Sequence, residues 1–411
     1  MGYLELSNVS ELLTNEVLDK IFKLKTNSQD HVVKSQVSRV GPAGEGLLSA
    51  VYRICVTGEK YSTSYVAKGL VNDLLLRRTL NCTMFFHREV MFFSKILPLF
   101  TEFQRSLNAK ESLQKYIPFC YHYHCDGQAD YLILEDLSEN GYCPISHSPS
   151  DTEREGILKV IALLHAVSMA MRLKNPELFF KLANEFPECY FNERRRAWYC
   201  KWLRKAVEVD KEVVCEYEDK IDKVYYEKFM NLINSDTFKQ QMEISNTWGD
   251  HTVFNHGDCW YANFLGSSQG VVGIDFQLFR FASPATDLTF FLMGCCDSPH
   301  KEDFTKSLDV YYSYFRHFMD DMNIDAQKVF PRHTLDAELK KYGKFGFLSA
   351  LTSLPLIVSE KCDVMQSFET KFSDKDIIPL EDIWILTPFK TEKQKLKLIN
   401  ALRVSVDLGF I

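Results

Sequence analysis

The sequence lacks both an excess of basic residues and an apolar run long enough to cross a membrane. Its 411 residues include 48 Lys and Arg against 55 Asp and Glu, which gives a net charge of −7. A general nucleic-acid binder needs a basic surface for its phosphate contacts, so that class is disfavoured. The longest apolar stretch, residues 345–358, contains Pro355 and is shorter than the roughly 20 residues that span a bilayer. Neither nucleic acid nor a membrane is an expected partner.

Paired cysteines and a secretory signal are also missing. Twelve cysteines in 411 residues are too sparse for a small disulfide scaffold, and none forms the Cys-x-x-Cys pairs typical of a zinc site. The first residues have neither the basic segment nor the apolar core of a signal peptide. Leu6 occupies the place where a myristoylation signal needs Ser or Thr. We therefore expect a cytoplasmic protein with reduced cysteines, and we favour a monomer.

The first third of the chain has the pattern of a small antiparallel sheet with one inserted helix. Alternating β-prone runs, separated by glycine-containing turns, are typical of strands. They cover residues 31–40, 48–56, 61–70, 116–125 and 131–137. Helical spacing of apolar residues predicts one helix over residues 8–21 and another over residues 85–100, which Pro98 is expected to end.

The rest of the chain is predicted to be mainly helical, so the fold class is α+β. Long amphipathic segments are typical of helices. They cover residues 151–171, 192–215, 219–233 and 342–358, and a strand–loop–strand unit covers residues 253–279. We divide the chain into an N-terminal domain of residues 1–137, a Gly/Pro/Ser-rich linker of residues 138–150 and a C-terminal domain of residues 151–411.

One segment has the pattern of a phosphoryl-transfer loop. Residues 256–263 read His-Gly-Asp-Cys-Trp-Tyr-Ala-Asn, and Asp275 follows the next apolar strand. Asp258 and Asn263 have the spacing of a kinase catalytic loop, in which the Asp acts as the base and the Asn binds a metal ion. Asp275 would supply a second metal ligand, and hydrogen bonds of His256 would fix the shape of the loop. The alternative is a β-hairpin whose Asp and Asn only cap turns.

The N-terminal domain should then bind the nucleotide. Lys68, late in the third predicted strand, is placed like the lysine that neutralises phosphates in kinases. Glu89, in the following helix, is the candidate partner that fixes the ammonium group. The alternatives are a solvated lysine on an edge strand and an exposed glutamate that pairs locally with Arg88 or His87.

Two further segments are candidates for nucleotide contacts. The first contains Gly41, Gly44 and Gly46. Its glycines would let backbone N–H groups approach phosphates, although a simple hairpin loop uses the same residues. The second contains Glu135 and Leu137 at the end of an apolar strand, where backbone groups would face an adenine edge. The alternative there is that Glu135 and Asp136 cap the linker.

Together these segments resemble the ecdysteroid kinase-like (CHK kinase-like) family, which is related to choline kinases and aminoglycoside phosphotransferases. The resemblance rests on residues 256–263, 274–277 (Ile-Asp-Phe-Gln), 280–292, 134–137 and 49–53. It implies a bilobal protein-kinase-like fold that binds ATP and Mg²⁺. It also implies transfer of the γ-phosphate to a hydroxyl of a small molecule, with steroid alcohols as the family's named substrates.

The resemblance also implies roles for single residues. Asp258 matches the base, and Asn263 and Asp275 match the metal ligands. Lys68 matches the phosphate-binding lysine and Glu89 its partner. An apolar alcohol is then the expected acceptor.

Further residues are expected to surround this site. Asp287 is expected to buttress the catalytic loop or to cap the next helix. The segments 198–202 and 311–318 are candidates for the wall of the acceptor pocket. A choline- or aminoglycoside-type kinase and a pseudokinase-like binding protein are the alternatives, and Glu45 favours the second because it places a carboxylate beside the expected phosphates.

Overall fold

A five-stranded antiparallel sheet forms the centre of the N-terminal unit. The computed structural model describes residues 4–41, 48–358 and 377–411. The strands are β1 (Lys34–Arg39), β2 (Ala50–Thr57), β3 (Ser62–Gly69), β4 (Cys120–His124) and β5 (Tyr131–Glu135), in the order β1-β2-β3-β5-β4. All five predicted strands are present. Since β3 lies in the middle of the sheet, Lys68 pairs in register with Val51 and Leu132 and is not on an edge strand.

The first helix begins later than the apolar spacing predicts. Helix α1 (Asn15–Thr26) starts after Thr14, whose Oγ1 accepts a hydrogen bond from the backbone N–H of Val17 at 3.4 Å. A cap of this kind fixes where a helix begins. Val9 and Leu13 are buried in the core of the sheet unit although they precede the helix. Burial, and not helix formation, explains their apolar character.

The prediction that Pro98 ends the second helix is wrong. Helices α2 (Leu74–Leu80) and α3 (Cys82–Met91) are followed by a π-helical turn, Phe92–Ile96, and then by α4 (Leu97–Ser106). Pro98 is the second residue of α4, where a proline costs little because the first helical N–H groups need no partner in the helix. The π-helical turn already displaces the hydrogen-bond ladder, since the N–H of Leu97 donates to the oxygen of Phe92.

The second unit is mainly helical, which confirms the α+β class. Its helices are α5 (Asp151–Lys174), α6 (Pro176–Glu185), α7 (Glu193–Glu216), α8 (Lys223–Ile233), α9 (Thr237–Asn246), α10 (Pro284–Gly294), α11 (Lys301–Asp321), α12 (Ala326–Val329), α13 (Arg332–Tyr342), α14 (Lys344–Val358), α15 (Leu380–Ile383) and α16 (Glu392–Asp407). Its strands are β6 (Cys143–Pro144), β7 (Val253–Asn255), β8 (Phe264–Ser267), β9 (Gly270–Gly273) and β10 (Arg280–Ala282), paired as β7-β10 and β6-β8-β9. Of the described residues, 4–41, 48–98, 117–142 and 377–379 belong to the first unit, and 99–116, 143–358 and 380–411 to the second.

Helix α5 lies in the core of the second unit, where it packs against α11, α6 and the small strands β7 and β9. It is the one helix in the described ranges whose length and composition would allow it to cross a membrane, and 78% of its apolar window is buried. Protein contacts of this extent are typical of a core helix.

One buried carboxyl group of this unit has no visible partner. Asp210 lies in α7 and is fully buried, and neither of its carboxyl oxygens forms a hydrogen bond with any described residue. Burial raises the pKa of Asp210 well above its usual value, because the charged form loses its solvation. The folded protein therefore favours the neutral form.

We expect Asp210→Asn to stabilise the protein at neutral pH. The unfolded chain releases the Asp210 proton above about pH 4, whereas the folded chain retains it, so the wild type loses stability as the pH rises. Asparagine cannot ionise, so the variant avoids this loss, which is about 1.4 kcal/mol for each unit by which the pKa is raised; at about pH 7.5 it should gain about 1–3 kcal/mol in its free energy of unfolding. Urea unfolding at this pH and at about pH 4.5, where the gain should shrink, measures the effect.

The exposed Asp219 provides the matched control, because Asp219→Asn removes a carboxylate that is already in water. Its free energy of unfolding should change little at either pH. Unchanged or reduced stability of Asp210→Asn at neutral pH would mean that the native carboxylate is stabilised by a partner.

Candidate active site

The predicted catalytic loop connects β7 to β8, and its two principal side chains touch. The amide nitrogen of Asn263 donates to Oδ2 of Asp258 and to the backbone oxygen of the same residue, both at 2.9 Å. Asp275 follows β9 and has a φ of 65°. The backbone N–H of Ile274 donates to the oxygen of Asn263 at 2.9 Å. The loop and the segment that carries Asp275 are therefore joined directly.

His256 ties the loop to the same segment. Its Nε2 donates to the backbone oxygen of Ile274 at 2.9 Å, and its Nδ1 accepts from the backbone N–H of Asp258 at 3.4 Å. Burial lowers the pKa of His256, which suits a neutral ring that donates through one nitrogen and accepts through the other. These contacts shape the loop, while a part for His256 in catalysis stays a prediction.

Gly257 occupies a position that no other residue can fill. Its φ is +86°, and a Cβ atom would lie 1.8 Å from the backbone oxygen of Leu278. Only glycine combines this left-handed conformation with so close an approach to another backbone. The glycine between His256 and Asp258 is thus required by the path of the loop.

Two buried side chains hold the peptide groups of the loop in place. Asp287, in the first turn of α10, accepts from the backbone N–H groups of His256 at 2.6 Å and Gly257 at 3.0 Å. Arg280 on β10 donates from Nη2 to the backbone oxygen of Gly257 at 2.7 Å. Of the two roles expected for Asp287, support of the catalytic loop is therefore the one that the structure shows. The cap of α10 is Ser283, whose side chain accepts from the N–H of Ala285.

Asp258 in the loop and Asp287 in α10 differ in their electrostatics. Burial, together with the negative charge of Asp275, raises the pKa of Asp258 to about 7. The hydrogen bond from Asn263 acts in the opposite direction but is outweighed. Burial also acts on Asp287, but His165 and Arg280 outweigh it and lower the pKa of that carboxyl group. Asp287 is therefore ionised at neutral pH, while Asp258 can take up and release a proton.

Asn263 and Asp275 fit the requirements of a divalent cation such as Mg²⁺. Because the amide nitrogen of Asn263 is bonded to Asp258, its amide oxygen remains available as a ligand. Amide and carboxylate oxygens are ligands that Mg²⁺ prefers. Within the described ranges no group of three or more His, Cys, Asp and Glu side chains could hold a metal ion. A cation at these two residues would complete its shell with water or phosphate oxygens, as Mg²⁺ commonly does.

In the sheet unit, Lys68 and Glu89 form a buried ion pair. Lys68 Nζ lies 2.7 Å from Glu89 Oε1, and the side chains are 9% and 1% exposed. Lys68 is on β3 and Glu89 on α3. The alternatives of a solvated lysine and an exposed helical glutamate are therefore wrong. Binding of a phosphate by this lysine stays a prediction.

The glycine-rich segment falls largely outside the described residues. Gly44, Gly46 and Glu45 lie in the range 42–47. Gly41 follows β1 and has a φ of 80°, a conformation that favours glycine. Contact between this segment and phosphates stays a prediction.

The end of β5 carries a hydrogen-bonded acid. Asp136 caps the turn that begins at Leu137, and its Oδ2 accepts from Arg53 Nε and Ser64 Oγ, both at 2.7 Å. Burial alone would raise the pKa of Asp136, but these hydrogen bonds and that of Ser138 outweigh it, so the pKa is lowered. The capping alternative therefore holds for Asp136, and the adenine contacts of Glu135 and Leu137 stay predictions.

Two residues near Asp258, Glu188 and Tyr190, were not found from the sequence. Glu188 accepts from Arg280 Nη1 at 3.3 Å. Burial raises the pKa of Tyr190, and the nearby charge of Asp258 adds to the rise. The guanidinium group of Arg195 lies 4.2 Å from the centre of the Tyr190 ring. Their segment lies far upstream of the loop, so no motif spacing could indicate this proximity.

The two candidate pocket walls have different surroundings. Tyr199, in segment 198–202, is buried, and its ring centre lies 5.6 Å from that of Tyr190. Tyr311, in segment 311–318, is buried behind the loop, where its hydroxyl group bonds His165 Nδ1 at 2.9 Å. Contact of either segment with an acceptor stays a prediction.

Comparison with known proteins extends these observations. The model of the ecdysteroid kinase-like family matches residues 43–324, and no curated protein matches the chain. Similar solved structures include an ethanolamine kinase from Plasmodium vivax (12% identity, TM-score 0.41, covering 90% of this chain and 81% of that one). A choline kinase from Cryptosporidium parvum Iowa II has 13% identity, a TM-score of 0.41 and coverages of 97% and 98%. A spectinomycin phosphotransferase in complex with ADP and spectinomycin has 13% identity, a TM-score of 0.36 and coverages of 91% and 98%.

The order of the elements agrees with the family match. A lysine on the third strand pairs with a glutamate on a following helix, and a loop with Asp and Asn five residues apart precedes a further Asp, as in protein-kinase-like folds. The family model covers more than two thirds of the 411 residues. The protein therefore belongs to the ecdysteroid kinase-like family and is a small-molecule phosphotransferase that acts on a hydroxyl acceptor.

Proposed function

We propose that the protein transfers the γ-phosphate of ATP to a hydroxyl group of an apolar alcohol, such as an ecdysteroid or another steroid-like compound, with Mg²⁺ as the metal ion. The observation that carries this proposal is the hydrogen bond of 2.9 Å by which Asn263 orients the carboxyl group of Asp258. Burial raises the pKa of this carboxyl group to about 7. A base whose pKa lies near the working pH is well suited to accept a proton from a hydroxyl group.

Each residue of the catalytic set has a separate task in this proposal. Asp258 orients the acceptor hydroxyl and takes its proton as the oxygen bonds to the γ-phosphorus, while the bond from that phosphorus to the β-phosphate oxygen breaks and ADP leaves. Asn263 and Asp275 would hold the Mg²⁺ ion, which supplies charge neutralisation on the transferred phosphate. Arg280 and Asp287 keep the loop peptide fixed, so the carboxylate of Asp258 is positioned before substrate binds.

The buried ion pair of the sheet unit supports nucleotide binding. Lys68 would offset charge on the non-transferred phosphates, and Glu89, at 2.7 Å, holds its ammonium group in place. Gly41, Gly44 and Gly46 would approach the phosphates through backbone N–H groups, and Glu135 and Leu137 would offer backbone groups to the adenine. The intact set of Asp258, Asn263 and Asp275 speaks against a pseudokinase-like binding protein.

We also propose that the protein works in the cytoplasm as a monomer. The eleven cysteines in the described ranges are all free thiols, which suits a reducing compartment. The proposed division into residues 1–137, 138–150 and 151–411 assigns nucleotide binding to the first segment and the catalytic loop to the last.

An assay of ATP turnover against a panel of alcohols tests the proposal. The panel contains a hydroxylated steroid, choline and an aminoglycoside, and product formation is measured with Mg²⁺ present and after its removal by a chelator. We expect phosphorylation of the steroid alcohol, and loss of activity on chelation. Phosphorylation of quaternary amines alone would support a choline-type kinase. If Mg-ATP neither binds nor turns over, the proposed ATP-dependent transfer is wrong.

A further inference from the structure

A cavity of about 280 Å³ lies in the helical unit, outside the residues assigned to phosphoryl transfer. Leu354 and Ile357 of α14 and Phe389 supply apolar walls, and the start of α16 supplies polar groups. This volume is close to the lower end of the range of small-molecule sites, and a mainly apolar wall with a few polar groups is their usual composition. The cavity can therefore hold a small organic molecule or one end of a larger one.

The polar groups that line the cavity are cationic or neutral. Lys393 and Lys397 lie one helical turn apart in α16, and no Asp or Glu is among the lining residues. Lys397 is buried and engaged, with Nζ 2.8 Å from both Asp297 Oδ1 and the backbone oxygen of His147. Lys393 is exposed and forms no ion pair with the described residues. Its ammonium group is thus available to a ligand.

Gln394 supplies a further donor. Its amide oxygen accepts from the backbone N–H groups of Lys390 and Thr391 at 2.9 and 3.0 Å. This arrangement leaves the amide NH₂ group to donate elsewhere. No carboxylate lines the cavity, and the nearby Asp297 is already paired with Lys397. In these surroundings a free ammonium group and an amide donor suit an anionic group and repel a cationic one.

The cavity adjoins the catalytic loop. His147, one of its lining residues, has its ring centre 6.4 Å from that of Tyr261. Tyr261 is the third residue after Asp258 and lies inside the loop. One wall of the cavity therefore contacts the segment that carries the proposed base.

We infer that the cavity binds the end of the acceptor remote from the phosphorylated hydroxyl, and that the acceptor is an amphipathic alcohol with an apolar body and an anionic group such as a carboxylate or a sulfate. This inference rests on the proposed phosphotransferase function. Its apolar part would lie against Leu354, Ile357 and Phe389, and its anionic group would bind Lys393 and Gln394. Acceptors with a cationic end, such as amino alcohols, are disfavoured because their charge would face Lys393.

Three alcohols that differ only at one end test the inference. They are ω-hydroxydodecanoate, its methyl ester and ω-aminododecanol, whose flexible chains span a range of distances. With the full-length protein, ATP and Mg²⁺, we expect kcat/KM to decrease in that order. Lys393→Glu should lower the ratio of kcat/KM for the carboxylate over the amine by about 10- to 100-fold, since charge-assisted hydrogen bonds have this strength. Lys211→Glu, the same change at an exposed residue of α7 away from the cavity, should leave the ratio unchanged.

Calorimetric titration of ω-hydroxydodecanoate without nucleotide measures binding to the cavity independently of phosphoryl transfer. Binding that Lys393→Glu weakens and Lys211→Glu does not, together with transfer to the same compound, supports the inference. A preference for the amine, or a carboxylate preference that Lys393→Glu leaves intact, overturns it. Lys393-dependent binding without transfer to any alcohol overturns the assignment of the ligand as the acceptor. It shows that the cavity binds the compound but that the proposed phosphoryl transfer does not occur.

Discussion

Asp258→Asn is expected to reduce phosphoryl transfer by about 10²–10⁴-fold, the usual contribution of a general base. Asparagine has the shape of aspartate and preserves the loop, but its amide cannot take a proton from the acceptor hydroxyl. Affinity for Mg-ATP should be retained, because the proposed phosphate and metal contacts come from Lys68, Asn263 and Asp275. Steady-state rates with the preferred alcohol and calorimetric binding of Mg-ATP measure the two properties separately.

Asp275→Asn provides the informative contrast. It removes a proposed metal ligand, so metal-dependent nucleotide binding should weaken together with turnover. Asp250→Asn, at an exposed residue of the same unit, is the matched control and should affect neither property. If Asp258→Asn and Asp275→Asn lose transfer and binding to the same extent, the two carboxylates do not have separate roles.

The pKa of Asp258 also determines how activity should depend on pH. The carboxyl group must be ionised to act as a base, so kcat/KM should fall as the pH decreases through its pKa. Burial and, after it, the negative charge of Asp275 raise that pKa to about 7. A cation held by Asp275 offsets this charge, so the decrease in activity should occur at or below pH 7. The residual activity of Asp258→Asn should lack this decrease at low pH.

Local sequence patterns predicted much of the fold and the centre of the site. The five strands of the sheet follow alternation and turn residues, which are properties of neighbouring residues. Asp258 and Asn263 touch because they lie five positions apart on one tight loop. The pairing of Lys68 with Glu89 was predicted from the order of the elements in kinases, and its buried distance of 2.7 Å agrees with that expectation.

Features that depend on tertiary packing could not be read from the chain. Arg280 and Glu188 lie far apart in sequence and meet only because β10 and the segment before α7 are packed together. The start of α1 is decided by the side chain of Thr14, and the apolar residues before it are explained by burial alone. The cavity beside Tyr261 combines α14, α16 and the segment before α5, which share no motif.

The second large effect is expected for Asp287→Asn. The carboxylate accepts from two loop N–H groups and faces His165 at 3.4 Å. An amide would turn its NH₂ group toward one of these donors, so that a buried loop N–H and the NH₂ group itself would lack acceptors, and a negative charge near Arg280 would be lost. Each buried polar group without a partner costs about 1–3 kcal/mol, so the free energy of unfolding should fall by about 2–5 kcal/mol. Urea unfolding of the variant and the wild type measures it.

Asp303→Asn is the matched control for this change. Asp303 also lies in the first turn of a helix, but its side chain is 43% exposed, so the substitution should alter stability by less than about 1 kcal/mol. Comparison of the two variants separates the contacts of the loop from a general effect of the helix N-terminus.

Loss of stability alone would fit any buried residue, so kinetics must identify Asp287 as the residue that positions Asp258. At a temperature where the variant is folded, kcat should fall by about 10²-fold, because a displacement of about 1 Å at a reacting group has this cost. Binding of Mg-ATP should change little, since Asp287 contacts the loop upstream of Asn263 and Asp275. A variant that is destabilised but keeps the wild-type kcat would show that the loop holds its geometry without Asp287. The orientation of Asp258 would then depend on Asn263 and Arg280 instead.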